Sequence, residues 1–509
     1  MALYKIPSAV AEGVTALPVG VEVDVASGLP GFVVVGLADK AVEESRERVR
    51  SAIKHTGYTF PLSRITVHLS PSERKKSGVH FDLPIALGIL IADGQLKKLR
   101  DVQKVLFLGG LSLDGGLQPV SGALVFAEWA KLQRCETVIL PRQNVEEAAL
   151  IEGIDIVGLD TFSQVIGWLN EGIVPTPNPQ PSENIQTDSF SDDWLRIQGQ
   201  EKAKRAAVIS AAGGHNILLE GPPGAGKTLL ARGLRALLPP LESNELLEVI
   251  KLHSIAHELK PGLSPRSLGR PFRSPHHSAS HISVIGGGTN PKPGEISLAH
   301  RGILFLDELP EFPRQVLEAL RQPLEDGEVH VSRISSAVRY PAAFTLVATM
   351  NPCPCGWFDS GQKDCQCSPH QISQYRKKVS GPILDRIDLC IRLGAVPLGD
   401  LRRPPKSNDE LTKLRQLITR TWRVQKERNG GVLNAYVPAD RLAKVAGISD
   451  QAHELLEEAS KKFVITGRSY HKIIKVARTI ADLNGRPEIT TPDVAEALQY
   501  RFQSARSVE

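Results

Sequence analysis

Residues 221–228 constrain the fold of this chain more than any other stretch. They read GPPGAGKT, which matches the pattern G-x-x-x-x-G-K-[ST] at every fixed position. A strand-like run, 216–220, precedes the match, and a helix-compatible run, 229–238, follows it. A phosphate-binding loop requires this context, because backbone N–H groups and the positive end of the helix then surround the phosphates. The stretch therefore predicts a nucleotide-binding α/β domain built on a parallel sheet.

The motif assigns roles to individual positions of the loop. Lys227 would reach the β- and γ-phosphates, and Thr228 would offer its hydroxyl to Mg²⁺. The predicted ATP-binding residues are Gly221, Pro222, Pro223, Gly224, Ala225, Gly226, Lys227 and Thr228.

Two carboxylates follow a second strand-like run, 303–306. An apolar run that ends in acids is typical of a buried parallel strand, which delivers them to the carboxyl edge of the sheet. Asp307 would hold Mg²⁺, and Glu308 would orient and polarise the attacking water. A third apolar run, 345–350, ends at Asn351. The three runs together predict ATP hydrolysis.

Composition limits the class of protein. The chain has 509 residues, enough for about three domains, with 41% hydrophobic and 23% charged residues. The apolar runs are shorter than the roughly 18 residues of a membrane-spanning helix, and the N-terminus lacks the apolar core of a signal peptide. Six cysteines in so long a chain do not form a disulfide framework. We expect a cytosolic globular protein whose net charge of +5 neither requires nor opposes nucleic-acid binding.

A proline- and serine-rich segment marks the clearest domain boundary. Such a segment is extended and cannot build a core. Before it, strand patterns at 21–25, 32–35 and 65–69 and helix patterns at 40–55 and 82–93 predict an α/β domain. After the nucleotide-binding core, helix patterns recur at 451–463 and 469–483. The predicted segments are an N-terminal domain at 1–171, a linker at 172–193, an ATPase core at 194–395 and a helical domain at 396–509.

Four cysteines lie in two close pairs. Cys353 and Cys355 are separated by nine residues from Cys365 and Cys367. Four thiolates in two pairs suit a tetrahedral structural zinc site, with His370 as a possible substitute ligand. Because C-x-C is tighter than the usual C-x₂-C knuckle, unliganded loop thiols and a redox pair stay open as alternatives. Cys135 and Cys390 stand in apolar contexts and are expected to be core residues.

The chain resembles the magnesium-chelatase-like AAA+ proteins of the YifB/ComM type along nearly its whole length. Besides the nucleotide motifs, the resemblance is carried by RPFRSPHH at 270–277, three glycines at 286–288 and PGEISLAHRG at 293–302. It implies an α/β fold class with a Lon-protease-like N-terminal domain, a P-loop AAA+ core and an all-α C-terminal lid. The histidines at 276 and 277 suggest a polar loop or a DNA contact, with a metal site as the alternative.

The resemblance also implies roles for residues beyond the loop. Asn351 corresponds to sensor 1, and Arg386, in LDRID at 384–388, corresponds to the arginine finger; an ordinary ion pair with Asp385 or Asp388 is the alternative reading of Arg386. Arg468 corresponds to sensor 2, with Arg478 as its competitor. An arginine finger from a neighbouring subunit would make hydrolysis depend on ring assembly.

Two hairpins are implied to face the pore of the ring. Lys227 and Asp307 are 80 positions apart, more than a minimal core needs, and the excess resembles the helix-2 insert of this branch of AAA+ proteins. A second hairpin is expected from residues 328–333 and 337–340. Lys292, Arg333 and Arg339 are the candidate DNA contacts, because exposed cations bind phosphates without reading sequence.

The N-terminal domain resembles the Lon fold without its catalytic pair. In that register His80 stands at the position of the serine nucleophile and Leu124 at the position of the paired lysine. A serine–lysine dyad needs a hydroxyl beside an amine, so protease activity is not expected. Assembly or DNA contact is the expected role of this domain.

The leading hypothesis from the sequence is an ATP-driven, hexameric motor on single-stranded or branched DNA. Helicase or branch-migration activity, as in recombination during natural transformation, is what the resemblance implies. The alternative is a chelatase-type motor subunit that drives metal insertion into a porphyrin. An ATP-dependent protease is the third and least favoured.

Overall fold

The computed structural model describes residues 3–96, 100–173, 190–259, 264–288, 291–332, 337–396, 399, 407–462 and 465–501. The chain divides into two compact units. The first contains Met1–Ile185 and Leu246–Leu268, and the second contains Gln186–Glu245 and Gly269–Glu509. Within the described residues, none of the helices combines the length and the apolar character needed to cross a membrane.

The N-terminal unit is a mixed α/β fold with two main sheets. Its helices and strands in chain order are β1 Leu3–Glu12, β2 Thr15–Ala26, β3 Gly31–Val35, α1 Lys40–Glu43, α2 Ser45–His55, β4 Arg64–Ser70, α3 Asp82–Ala92, β5 Val105–Phe107, β6 Gly110–Leu111, β7 Leu117–Gln118, α4 Ala123–Leu132, β8 Thr137–Pro141, α5 Val145–Ala148, β9 Asp155–Leu159 and α6 Phe162–Glu171. Short 3₁₀ turns lie at Val79–Phe81, Val102–Lys104 and Arg142–Asn144.

The first sheet has the order β1-β2-β4-β3, in which only β3 runs parallel to its neighbour β4. Buried and partly exposed residues alternate along β2 and β4, as expected for a sheet with one covered face. Helix α3 is apolar all round and almost wholly buried. Gly88 lets it approach β2 closely, since a Cβ there would lie 2.5 Å from Val23 Cγ2. The second sheet, β5-β8-β9, is parallel throughout.

The second unit is built on a five-stranded parallel sheet. The elements of its α/β part, together with the helix α10 that leads into the segment Leu246–Leu268, are α7 Phe190–Leu195, α8 Glu201–Gly213, β10 Ile217–Glu220, α9 Lys227–Leu237, α10 Ser243–Ile255, β11 Phe272–Arg273, α11 His281–Ile285, β12 Gly286–Gly287, β13 Lys292–Pro293, α12 Glu295–Leu298, β14 Ile303–Leu306, α13 Arg314–Ala319, α14 Arg321–Asp326, β15 Glu328–Ser332, β16 Ala337–Pro341, β17 Thr345–Met350, α15 Pro369–Lys377, α16 Gly381–Leu384 and β18 Leu389–Arg392. Short 3₁₀ turns lie at Pro265–Ser267 and Leu309–Glu311.

The strand order of this sheet is β11-β14-β17-β10-β18, and every pair is parallel. Strands β10, β14 and β17 are fully buried, which explains their continuous apolar sequences. Because the strands are parallel, the residues that follow β10, β14 and β17 emerge at one edge. This edge carries the candidate site.

A helical region completes the second unit. It contains α17 Asn408–Asn429, α18 Ala439–Ala446, α19 Asp450–Lys462, α20 Gly467–Leu483 and α21 Thr491–Gln499, with a 3₁₀ turn at Asn434–Tyr436. One hydrophobic core includes Leu219 of β10 and Ile480 of α20. The helices α17 and α20 pack on α8, which itself packs on β10 and β18. Burial in this shared core stabilises the unit by about 25 cal/mol for each Å² of apolar surface.

Two sequence expectations are refined by the fold. The helix predicted over 40–55 is interrupted at Glu44, whose ψ of −10° departs from the helical value, and it restarts at Ser45. The segment Leu246–Leu268, which lies within the range 194–395 expected for the ATPase core, groups with the N-terminal unit.

Candidate functional site

The loop after β10 has the backbone shape of a phosphate cradle. Gly224 and Gly226 have φ of +78° and +85°, a region that residues with a side chain rarely adopt. A Cβ at either position would meet no atom within 4 Å, so backbone conformation rather than crowding requires glycine there. Helix α9 begins directly at Lys227, so its N-terminus points its free N–H groups toward the loop.

Lys227 lies where the loop and β17 meet. Its Nζ donates to the carbonyl oxygens of Gly221 at 2.6 Å and Pro222 at 3.0 Å, and to Asn351 Oδ1 at 2.9 Å. Burial lowers the pKa of the Lys227 ammonium, while the carboxylates of Asp307 and Glu308 act in the opposite direction. The structure thus brings the predicted lysine and Asn351 into direct contact.

The two acids emerge from β14 beside the start of α9. Asp307 Oδ2 lies 3.4 Å from Thr228 Oγ1, so the hydroxyl and the carboxylate predicted to share a cation are neighbours. Glu308 is exposed and adopts φ of +56°, which turns the chain sharply after Asp307. The edge therefore combines a fixed carboxylate with an accessible one.

Thr349 is a member of this site that the sequence reasoning missed. Its hydroxyl donates to Asp307 Oδ1 at 2.5 Å and accepts from the Glu308 backbone N–H at 3.0 Å. One buried side chain of β17 thereby positions both acids. The available signal was weak: Thr349 is a hydroxyl residue in an apolar strand, two residues before Asn351 and hence on the same face.

The three arginines considered from the sequence are in different environments. Arg386 pairs with Glu325 at 2.6 Å and also donates to the Arg321 carbonyl at 3.1 Å. Arg468, with 63% of its side chain exposed, lies 3.5 Å from the same Glu325 carboxylate. Asp388, one suggested partner of Arg386, instead contacts His215 at 3.3 Å.

Arg478 is held inside the helical region. It is 1% exposed and pairs with Asp482, and it donates to the backbone carbonyls of Ala446, Arg486 and Pro487. A guanidinium held by these contacts is a structural anchor for the helices. Of the two sensor-2 candidates, Arg468 is the one whose side chain is exposed at the surface.

The four predicted cysteine ligands converge. The Sγ atoms of Cys353, Cys355 and Cys365 are separated by 3.3, 3.6 and 3.7 Å, and with Cys367 all four lie within 4.8 Å of one another. The Phe358 N–H points at Cys353 Sγ at 3.4 Å. His370, the possible substitute, lies outside this cluster and contacts Gln374.

Both predicted hairpins form. Strands β12 and β13 pair antiparallel, as do β15 and β16. The Tyr340 hydroxyl on β16 donates to the Pro291 carbonyl at 2.8 Å and ties the two hairpins together. Lys292 and Arg339 are exposed, whereas Arg333 lies outside the described residues. The loop with the paired histidines packs the His277 ring edge-on to Phe312 and the His276 ring against a hydrogen-bonding serine.

Comparison with known proteins decides the family. Three family models match successive parts of the chain: subunit ChlI of Mg-chelatase at residues 21–144, magnesium chelatase subunit ChlI at 193–401, and its C-terminal part at 409–501. Competence protein ComM of Haemophilus influenzae is 41% identical over 510 residues and 98% of both chains. This chain belongs to the ComM/YifB family.

Other members of the ComM/YifB family and a more distant chelatase relative extend the comparison. The uncharacterized protein YifB of Escherichia coli is 39% identical over 98% of this chain and 97% of its own. A magnesium-chelatase subunit ChlI homolog of Methanocaldococcus jannaschii is 24% identical over 60% of this chain and 83% of its own. The family and the parallel sheet with its phosphate loop make this protein an AAA+ ATPase of the magnesium-chelatase-like type.

In this ComM/YifB family member, the Lon-like register positions are buried. The His80 ring packs against the rings of Phe81 and Phe126, and its Nε2 contacts the Ala9 carbonyl oxygen at 3.0 Å. Burial lowers the pKa of His80 to about 4. The Leu124 backbone N–H donates to Glu147, and its side chain is in the core. These two positions supply neither a hydroxyl nor an amine.

Proposed function

We propose that this ComM/YifB family member is a hexameric ring motor that hydrolyses ATP to move along DNA. The observation that carries the proposal is the joint placement of Lys227, Asn351 and Asp307 at one sheet edge, in a unit that also presents two linked hairpins with exposed cations. The name of the Haemophilus relative, a competence protein, is consistent with a role in handling DNA.

The donor set at the sheet edge fits Mg²⁺ with ATP. Mg²⁺ takes oxygen ligands, and Thr228 and Asp307 offer a hydroxyl and a carboxylate oxygen side by side. When bound, MgATP supplies the phosphoanhydride bond that hydrolysis breaks. The Lys227 ammonium and the backbone N–H groups of Gly224, Gly226 and Thr228 hold phosphate oxygens, since these donors are fixed at the N-terminus of α9.

Glu308 and Asn351 act on the attacking water in this proposal. Glu308 is the exposed carboxylate of the pair, so it can accept a hydrogen bond from water and take its proton. The Asn351 amide, held beside Lys227, orients the water and the terminal phosphate. Thr349 fixes Asp307 and the Glu308 backbone relative to each other.

Arg386 and Arg468 serve the neighbouring subunit of the ring in this proposal. Both reach the half-exposed carboxylate of Glu325, so they lie close together on one face of the unit. A guanidinium stays charged when it is desolvated and can bridge phosphate oxygens, which suits it to act across an interface.

DNA contact is assigned to Lys292, Arg333 and Arg339. We expect single-stranded or branched DNA to stimulate ATP hydrolysis, and we expect the effect to weaken steeply with salt. Charge reversal by Lys292→Glu or Arg339→Glu should remove the stimulation, spare basal hydrolysis and lower the salt slope by about one unit per lost phosphate contact. Lys413→Glu, an exposed reversal on α17, is the control.

Titration of the ATPase with DNA separates the motor from its competitor. The family models take their names from a magnesium-chelatase subunit, which is the observation that favours a chelatase-type motor as the second candidate. No response of ATP hydrolysis to any DNA form at low salt would contradict the motor on DNA and favour the chelatase function. Equal stimulation by unrelated base sequences would support contacts to the backbone alone.

We further propose that Cys353, Cys355, Cys365 and Cys367 bind one structural zinc ion. Four sulfurs at about 2.3 Å around a tetrahedral zinc are about 3.8 Å apart. The observed separations include 3.3, 3.6 and 3.7 Å, and all four sulfurs lie within 4.8 Å of one another. Purified protein should carry one zinc per chain, and the double variant Cys353→Ser with Cys365→Ser should lose both the metal and thermal stability. Metal-free protein from a chelator-free preparation would overturn the site.

A further inference from the structure

The loop that carries the cysteine cluster lies directly against the phosphate loop. Gly356, between the two cysteine pairs, has φ of +84°. A Cβ at this position would lie 2.7 Å from Pro223 Cδ in the phosphate loop and 3.9 Å from Asn351 Cγ. The backbone of the cysteine loop therefore touches two parts of the nucleotide site at once.

A buried carboxylate forms a second connection. Glu220 is the last residue of β10, immediately before the phosphate loop, and is 8% exposed. Arg376 pairs with it at 3.0 Å, and Arg392 approaches it at 3.7 Å. Two arginines from different elements therefore contact the carboxylate at the end of β10, immediately before the phosphate loop.

Both arginines also contact the cysteine loop. The Arg376 guanidinium donates to the Pro352 carbonyl at 3.4 Å and lies 5.8 Å above the ring of Phe358. Arg392 contacts Asp359 at 3.4 Å. Residues 352–359 are therefore linked through Arg376 and Arg392 to the start of the nucleotide site.

We propose that the metal-bound cysteine cluster sets the affinity of the nucleotide site. Metal binding cross-links four points within 15 residues, from Cys353 to Cys367, and so fixes the conformation that places Gly356 against Pro223. Without the metal, ordering this loop costs conformational entropy that nucleotide binding must overcome. The inference rests on the proposed zinc site and goes beyond a purely stabilising role for it.

Thermodynamic linkage makes the coupling measurable from both directions. If metal raises nucleotide affinity by some factor, nucleotide must raise metal affinity by the same factor. In protein that stays folded without the metal, a metal that only stabilises the fold would leave both affinity factors at one. The two measurements together distinguish coupling from general destabilisation.

The experiment uses the full-length protein and a non-hydrolysable ATP analogue with Mg²⁺. Nucleotide dissociation constants are measured for zinc-loaded and chelator-stripped protein. Zinc dissociation constants are measured with a chromophoric competing chelator, with and without the analogue. We expect zinc to tighten nucleotide binding about tenfold, and the analogue to tighten zinc binding by the same factor. If stripped protein unfolds, the zinc-retaining variants described next test the connection without removal of the metal.

Two variants cut the proposed connections while keeping the four sulfurs. Arg376→Met removes the charged contact to Glu220 and should weaken nucleotide binding about tenfold while zinc is retained, the scale of a lost charge-assisted hydrogen bond. In Asp359→Asn the new side chain tolerates the φ of +56° at this position. This variant should weaken nucleotide binding by no more than about threefold, because the ion pair of Asp359 with Arg392 is exposed. Arg420→Met, exposed on α17, is the matched control.

Each outcome decides between the proposals. Two results would overturn the coupling and leave the zinc site intact. One is equal nucleotide affinity in folded zinc-loaded and stripped protein, and the other is a zinc affinity that does not change when the nucleotide analogue is added. Zinc absent from every preparation would overturn the zinc site itself. Wild-type nucleotide affinity in zinc-loaded Arg376→Met protein would overturn Glu220 as the connection.

Discussion

Two regions of this chain contain titratable side chains whose pKa values are shifted by burial. At the edge of the parallel sheet, burial lowers the pKa of Lys227. In the N-terminal unit, burial raises the pKa of Glu147 to about 7 and lowers that of His80 to about 4. Strong shifts occur at functional sites and in structural networks alike, so the shifts alone do not separate the two regions.

Access and geometry do separate them. Glu147 is 6% exposed and accepts from Ser254 Oγ at 2.6 Å and from the Leu124 N–H at 2.8 Å, contacts that serve packing within the unit. At the sheet edge, Glu308 is exposed. Thr228 Oγ1 and Asp307 Oδ2 are 3.4 Å apart, so both oxygens can bind one cation. Polar groups that remain open to a ligand, rather than shifted pKa values, mark the site.

The largest effect is expected at the phosphate loop. Lys227→Ala should abolish nucleotide binding, because the ammonium contacts phosphates in the ground state. Glu308→Gln should bind ATP and hydrolyse it very slowly, because the carboxylate acts on water. Fluorescent-nucleotide titration and steady-state hydrolysis measure the two quantities. Equal loss of ATP affinity in both variants would contradict this division of roles.

The second effect tests whether Arg386 acts across subunits. Arg386→Ala should leave ATP binding nearly intact and reduce turnover about 10³-fold, the scale for arginine fingers. Mixtures with Lys227→Ala protein should regain activity, since each variant supplies the group that the other lacks. Arg478→Lys, an internal change of the helical region, should show no such complementation. Absence of rescue at every mixing ratio would count against a finger supplied in trans.

Local motifs explain which features could be predicted. The phosphate loop, the strands at 303–306 and 345–350, and the hairpin from Glu328–Ser332 to Ala337–Pro341 are specified by contiguous sequence, and the structure has them close to the predicted bounds. Family membership and fold class were also predicted from these motifs, and the comparisons with known proteins confirm both. The zinc, DNA and subunit roles stay predictions.

Contacts between distant parts of the chain explain what could not be predicted. The meeting of Arg386 and Arg468 at Glu325 joins three segments, and no local pattern encodes it. Thr349 is one hydroxyl in an apolar strand, a pattern that also occurs in ordinary cores. The assignment of Leu246–Leu268 to the N-terminal unit depends on packing rather than on composition.

A smaller effect is expected at Thr349. Thr349→Val keeps the shape of the side chain and removes the hydrogen bond to Asp307 and the acceptor for the Glu308 N–H. We expect turnover to fall about 10- to 100-fold and a higher Mg²⁺ concentration to be needed, on the scale of one or two lost buried hydrogen bonds. Thr349→Ser, which keeps the hydroxyl, should retain most of the activity. Wild-type Mg²⁺ dependence in Thr349→Val would remove this residue from the site.

No effect on ATP hydrolysis is expected from substitution of Glu147, the buried carboxyl group of the N-terminal unit. A carboxyl whose pKa is higher in the folded state binds its proton more tightly there. The folded state therefore loses stability as the pH rises from the ordinary value of 4.5 to about 7, and this loss stops above that range. Glu147→Gln is neutral at every pH and should remove this dependence.

The variant and wild type should thus have similar stability near pH 4.5, and the variant should gain up to about 3 kcal/mol at pH 8. Denaturant titrations over this range, with hydrogen exchange of α4 peptides as the local readout, measure the difference. Glu152→Gln, an exposed change in the same unit, should follow wild type. Because the hydrogen-bond partners of Glu147 lie within the N-terminal unit, ATP turnover should be unchanged in Glu147→Gln. A large loss of turnover there would mean that the buried cluster of the N-terminal unit contributes to the chemistry, and the distinction between the two regions would fail.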